Sequence, residues 1–211
     1  YKRDTLPFSQ RFIHRLGVEG RAGYIFQTSP FLEYSNHQYK AMKNAYAGHL
    51  KYSFQLRPHT VADQAYIGAY QGIGVGYFNF GNPEELGNPL AVYLFQGGRI
   101  AQFSPRISLN YEWNFGASFG GKPYDEYDNP ENQIIGSKGN AYLNVNLDLK
   151  WALSPKFDLM IGTTGSHFSN GNTQYPNSGL NTVDCKVGLV YNFNRRADEL
   201  AQSWQRPIVP P

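Results

Sequence analysis

The sequence predicts an all-β protein, an eight-stranded antiparallel transmembrane β-barrel with long extracellular loops and short periplasmic turns. Three observations carry this. Apolar residues recur at every second position over long runs. The polar connections between the runs alternate long and short. The polar face of the runs holds Asn, Gly, Ser and charges of both signs. Composition agrees: 17% of the 211 residues are charged, against about 25% in an average soluble domain. Gly (22), Tyr (16) and Phe (14) are abundant. No apolar run approaches the about 18 residues of a membrane helix. The net charge of +3 comes from interspersed residues, so no basic block points to nucleic acid. A single cysteine excludes an intrachain disulfide framework and a cysteine-based metal site. The chain opens at Tyr1 rather than Met, which is compatible with a removed leader.

Each strand follows from the side-chain period of two. The first is expected over residues 18–26, where apolar positions alternate with Glu19, Arg21 and Gly23. The second, 48–56, sets Leu50, Tyr52, Phe54 and Leu56 against His49, Lys51, Ser53 and Gln55. The third, 65–77, sets Ile67, Ile73, Val75 and Tyr77 against Gly68, Gly72, Gly74 and Gly76. The fourth, 90–95, is apolar on both faces and is the least readable. In the fifth, 107–115, Ile107, Leu109, Tyr111, Trp113 and Phe115 alternate with Ser108, Asn110, Glu112 and Asn114. The sixth, 143–153, sets Leu143, Val145, Leu147, Leu149 and Trp151 against Asn144, Asn146, Asp148 and Lys150. The seventh, 156–169, carries Phe157, Leu159 and Ile161 on one face, and the eighth, 183–193, carries Val183, Cys185, Val187, Leu189, Tyr191 and Phe193.

The clearest of these runs last roughly nine to twelve residues, where ordinary strands have about five or six. A tilted membrane strand needs about nine to eleven. The connections 27–45 and 120–140 are long, while the second, fourth and sixth are shorter, the sixth being essentially Ser154-Pro155-Lys156. No linker divides the chain. Residues 1–193 are expected to form one barrel closed at Phe193, and residues 194–211 a tail outside it.

A soluble sandwich is the competing architecture, since it too alternates apolar and polar faces. It would leave its polar face wet and rich in scattered Lys and Glu. Here that face offers small residues and pairable charges (Glu19, Arg21, Lys51, Glu112, Asp148, Lys150). Those suit the side-chain-filled lumen of an eight-stranded barrel. The barrel is the better account.

Chemistry concentrates in Ser166-His167-Phe168-Ser169-Asn170-Gly171. His167 and Ser169 lie two apart on a strand, about 6.6 Å between Cα atoms, on one face. They share parity with Phe157, Leu159 and Ile161, so both are expected to face lipid. With an even strand count and periplasmic termini, the seventh strand ends in the outer leaflet. Asn181 shares parity with Val183 and Cys185 on the next strand, and antiparallel pairing brings it toward His167. A base, a nucleophile and an orienter then sit on the outer wall at headgroup depth, where attack on a lipid ester needs them. His and Ser two apart also arise by chance, and polar residues at an interfacial strand end are ordinary.

The run HFSNGNTQYPNSGLN, from His167 onward, resembles the outer-membrane lipid A 3-O-deacylase family. That family carries His-x-Ser-Asn in its penultimate strand, then Pro-Asn and a Gly before the last strand. The matching positions are His167, Ser169, Asn170, Pro176, Asn177 and Gly179. The resemblance implies Ser169 as nucleophile and His167 as general base. It implies Asn170 and Asn177, or nearby backbone amides, at the oxyanion and substrate. It implies lipid A or lipopolysaccharide of a Gram-negative outer membrane as partner, and an esterase needing no cofactor. One position departs: the family has Glu where this chain has Asn181. An amide can orient the ring but supplies no charge to the imidazolium, so a slower enzyme is expected. Asp184 is the nearest acid, and its parity turns it into the lumen. The alternative is a non-catalytic structural or lipid-binding outer-membrane barrel, which the departure favours.

Other residues carry less. His49 alternates into the lumen and reads as packing, and His14, His37 and His59 sit in polar connections without ligand spacing. Asp125, Glu126, Asp128 and Glu131 lack the spacing of a calcium loop and read as a solvated loop. Gly72, Gly74 and Gly76 lack the following helix of a phosphate loop. No metal is expected.

Overall fold

The computed structural model describes Pro7, residues 10–58, Thr60, Asp63 and residues 65–202. Eight strands follow the chain: β1 (Phe12–Ile25), β2 (Asn44–Leu56), β3 (Tyr70–Asn79), β4 (Gly87–Gln102), β5 (Ile107–Gly121), β6 (Gly139–Ala152), β7 (Phe157–Ser169) and β8 (Leu180–Asn192). Each pairs antiparallel with its neighbours, and β1 pairs with β8 to close the barrel. One circuit along hydrogen-bonded partners sets the geometry. From Ser169 it runs through Ala141, Ala117, Val92, Val75, Leu50, Val18 and Leu189 to Leu159, ten residues earlier on β7. Ten residues of offset over eight strands tilt each strand by about 40°.

The wall alternates as the sequence requires. Outward Val145 is 65% exposed and Leu94 63%, while inward Asp148 and Ser108 are fully buried. The lumen is filled in layers. At mid-height Lys186 meets Glu19 at 3.1 Å and Asp148 at 3.0 Å, Arg21 meets Glu19 at 2.6 Å, and Lys51 bonds Glu112. Toward the outer end the filling turns aromatic: Phe78, Tyr93, Tyr142 and Phe168 pack with centroids 5.0–5.4 Å apart. His49 lies here, buried, with Nδ1 2.8 Å from the Tyr93 hydroxyl. This aromatic layer explains the unreadable fourth strand. Ala91, Tyr93 and Phe95 face an apolar stretch of lumen while Leu90, Val92 and Leu94 face lipid.

The outer loops fold down onto that layer. Short helix α1 (Pro30–Glu33) buries Phe31 and Leu32, and Leu86, Ile134, Ile135 and Leu180 join them in one cluster with the aromatic lumen. At the periplasmic end Arg195 bonds Asp158, and Glu199 of helix α2 (Asp198–Gln202) pairs with Arg57 at 2.5 Å.

Three expectations need correction. Residues 65–69 do not open β3. Gly68 adopts φ +66, a turn conformation, and the strand begins at Tyr70. The second connection (57–69) is consequently longer than the third, outer one (80–86), although the outer connections 26–43, 122–138 and 170–179 are long. His14 belongs to β1, which starts six residues earlier than its alternation suggested because Phe12 and His14 pair with β2; its Nδ1 lies 2.7 Å from the Tyr52 hydroxyl. His37 lies in the first outer loop, and His59 lies outside the described residues.

The lumen network generates a test. Glu19 faces three cations, so Glu19→Gln leaves buried charge uncompensated, a cost of about 3–5 kcal/mol. Urea unfolding in lipid vesicles should show a clearly lowered midpoint. An unchanged midpoint would mean that the network contributes nothing to stability.

Candidate active site

β7 carries the site residues because its alternation continues without a bulge to its end. Asp158, Met160, Thr164, Ser166 and Phe168 are buried in the lumen, whereas His167 and Ser169 lie on the outward face. Pairing with β8 sets His167 directly opposite Asn181. His167 Nδ1 and Asn181 Oδ1 are 2.7 Å apart. Oδ1 only accepts, so Nδ1 carries a proton, and in the neutral tautomer this leaves the lone pair on Nε2. The Ser169 hydroxyl accepts a hydrogen bond from the Gly171 amide at 3.1 Å and is not bonded to the ring here. Such contacts are commonly loose before substrate binds.

Gly179 fits between them. A Cβ there would lie 3.2 Å from His167 Cε1 and 3.6 Å from Ser169 Cβ, and its φ of +73 disfavours any side chain. The sequence marks this glycine as a position of the motif before β8; its place beside the ring emerges from the fold.

The loop 170–179 is cross-braced. Asn177 Oδ1 accepts from the Asn170 amide at 3.0 Å, and Asn177 Nδ2 donates to Asn172 at 3.0 Å. Asn170 turns its own side chain to the Gln174 carbonyl at 2.7 Å. Neither asparagine side chain is hydrogen-bonded to Ser169, whose hydroxyl bonds the Gly171 amide. Asp184 faces the lumen and accepts from Thr182 at 2.9 Å. In the acidic loop, the amides of Asp128 and Tyr127 hold the Asp125 carboxyl below its ordinary range. Among the described residues, no group of three His, Cys, Asp or Glu side chains stands close enough to hold a metal.

A groove starts beside Ser169. The partner of Ser169 on β6 is Ala141, followed across the strands by Ala117, Val92 and Val75. This low row is flanked on one side by Phe119, Leu90 and Tyr77 and on the other by Leu143, Phe115 and Leu94. The result is a lipid-facing groove of about 590 Å³ bounded by Ala141, Ala117, Val92, Phe115, Phe119 and Ile73. Because the circuit ends ten residues nearer the periplasm, the row descends into the membrane by about 3 Å per strand. Alanines from different strands form this floor, so nothing in the linear sequence announces it.

The sequence matches the lipid A 3-O-deacylase (PagL) family over residues 14–190. The chain belongs to that family. No curated relative matches it in sequence. Among solved structures it is similar to the outer membrane enzyme PagL, at 14% identity and a TM-score of 0.53 over 82% of this chain and 97% of that one. Neisserial surface protein A matches at 10% identity and a TM-score of 0.49, over 86% of this chain and 96% of that one. The N-terminal β-barrel domain of Pseudomonas aeruginosa OprF matches at 9% identity and a TM-score of 0.46, over 85% and 97%. Family and fold together make the chain a β-barrel of the Gram-negative outer membrane. Gly179→Ala should cut lipid A deacylation by about tenfold or more while leaving heat-modifiable migration intact. Full activity in the alanine variant would mean that the ring tolerates a methyl at its edge.

Proposed function

We propose that the protein removes the 3-position acyl chain of lipid A by serine ester hydrolysis on the outer barrel wall. The observation that carries this is the His167–Asn181 hydrogen bond on the lipid-facing surface, two residues from an outward Ser169. Lipid A is the substrate class of the family, and the groove beginning at Ala141 suits an acyl chain running from an ester at Ser169 into the hydrocarbon.

In the proposed reaction Ser169 rotates toward the ring and its Oγ attacks the ester carbonyl, passing its proton to His167 Nε2. Asn181 Oδ1 keeps accepting from Nδ1–H and holds the ring in that tautomer. The oxyanion draws on the Gly171 amide and on Asn177. The bond from the Asn170 amide to Asn177 Oδ1 fixes which end of Asn177 is the donor. Collapse expels the sugar oxygen, which takes the proton from His167 and leaves an acylated Ser169. Water activated by His167 then releases the fatty acid.

Mass spectrometry of lipid A incubated with the purified barrel tests this. The 3-position chain should be lost with wild type and retained with Ser169→Ala and His167→Ala. Retention of most activity in Ser169→Ala would remove the nucleophile assignment. Asn181→Asp places a carboxylate at similar reach and should raise the rate, about tenfold or more, by pairing the imidazolium. Asn181→Leu should lower it. Ala117→Phe fills the groove and should depress turnover of long chains more than short ones; equal depression at all lengths would place the chain elsewhere.

One observation favours a second reading. Asn181 stands where the family has a carboxylate, and a barrel that had ceased catalysis while keeping lipid binding would tolerate that. Absence of turnover in both wild type and Asn181→Asp would establish it.

A further inference from the structure

The loop bearing Asn177 and Gly179 is braced within itself and also from a neighbouring loop. The Ser178 amide donates to the Gln133 carbonyl at 3.0 Å and the Gly179 amide to the Ile134 carbonyl at 3.2 Å, both on the third outer loop (122–138). The same loops touch again at Gly136, where a Cβ would meet the Pro176 carbonyl at 2.5 Å and that of Gln174 at 2.8 Å.

The turn that presents those carbonyls is organised by Asn132. This side chain is fully buried and uses both ends. Its Oδ1 accepts from the Ile134 and Ile135 amides at 3.0 and 3.2 Å. Its Nδ2 donates to the Glu85 and Lys122 carbonyls at 3.0 and 2.9 Å. Glu85 belongs to the second outer loop, and its buried carboxylate takes the His37 amide of the first loop and Asn82 Nδ2. A chain of hydrogen bonds thus runs from the first outer loop through Glu85 and Asn132 to the amide of Gly179, the residue seated between His167 and Ser169.

We propose that Asn132 is a positioning residue for the Ser169–His167 site, acting through the carbonyls of Gln133 and Ile134. The inference rests on the assignment of Ser169 and His167 above. Without the acceptor at Oδ1 the 133–135 turn loses its internal bonds, the Ser178 and Gly179 amides lose fixed partners, and Gly179 and Asn177 drift relative to the ring. Displacements of this size at a reacting centre cost rate rather than binding.

The test uses the full-length barrel in vesicles containing acylated lipid A. It measures kcat and KM for fatty acid release. It also measures the rate at which a long-chain alkyl fluorophosphonate labels Ser169, in which Oγ bonds phosphorus, fluoride leaves and the proton passes to His167. Asn132→Ala should lower kcat and the labelling rate by about tenfold, with KM and heat-modifiable migration unchanged. Asn132→Asp keeps the Oδ1 acceptor and should recover part of the loss. Gly136→Ala keeps Asn132 but wedges the two loops apart, and should reproduce the loss if Asn132→Ala fails to fold. Asn36, a buried asparagine bracing the first outer loop through the Phe31 and Lys40 carbonyls, is the control; Asn36→Ala should stay within about twofold of wild type. Wild-type rates in a folded Asn132→Ala overturn the proposal, as do wild-type rates in Gly136→Ala should Asn132→Ala not fold, and an equal loss in Asn36→Ala. Wild type that neither labels nor turns over brings down the Ser169 assignment itself, and this inference with it.

Discussion

An unpaired strand edge has no place in hydrocarbon, where each exposed amide or carbonyl costs several kcal/mol. The pairing of β8 with β1 removes the last edge, and the rest of the structure depends on it. Closure over eight strands with a ten-residue offset fixes both the tilt and a lumen too narrow for an open channel. Every inward side chain must then find a partner inside. The same offset makes each row of hydrogen-bonded neighbours run obliquely, and so turns Ala141, Ala117 and Val92 into a descending groove instead of a level band. Barrel closure is thus also what gives the candidate site its approach.

Two different solutions fill the lumen, and their order along the axis has consequences. At mid-height, Glu19, Glu112 and Asp148 balance Arg21, Lys51 and Lys186, a neutral set in which each charge is close to an opposite one. Such a set specifies one arrangement, since a shifted register would leave charges unpaired. Nearer the outside the lumen is aromatic, which gives the outer loops an apolar surface to fold onto. Phe31, Leu32, Leu86, Ile134 and Ile135 are fully or nearly fully buried because that surface continues into the barrel. Ordered loops at this end hold residues 170–179 in place, as loops loose in water would not. The polar middle therefore supports the register and the apolar top supports the site's surroundings.

The sequence was most legible where the bilayer imposes alternation. β5, β6 and β8 face lipid with one parity and a polar lumen with the other, and their strands follow directly from that. β4 hid its period because Ala91, Tyr93 and Phe95 line the aromatic stretch, so both faces are apolar. Alternation alone sets the start of β3 too early, because it does not reveal that Gly68 is left-handed. At the candidate site, the outward parity of His167 and Ser169 and the pairing of His167 with Asn181 depend on local period and one hairpin, and both were legible. The braces at Gln133, Ile134 and Gly136 were not. They join positions about forty residues apart in sequence, through backbone groups that every residue carries.

Asn181 is where local physics and the proposed chemistry pull in different directions. A carboxylate on the outer wall must be kept ionised at the edge of a low-dielectric phase, which costs desolvation unless its partner is charged as well. A ring that is to accept the Ser169 proton in the proposed reaction has to start neutral. In the resting state the amide is therefore the cheaper partner, and at 2.7 Å it already selects the correct tautomer. The balance reverses when the ring becomes imidazolium: only a carboxylate then gains an ion pair, and that gain falls in the transition state alone. An amide also has a donor end, and a turn about its last torsion would set Nδ2 against Nδ1 and impose the unproductive tautomer. In the proposed reaction, Asn181 would thus favour a stable resting wall over a fast proton transfer.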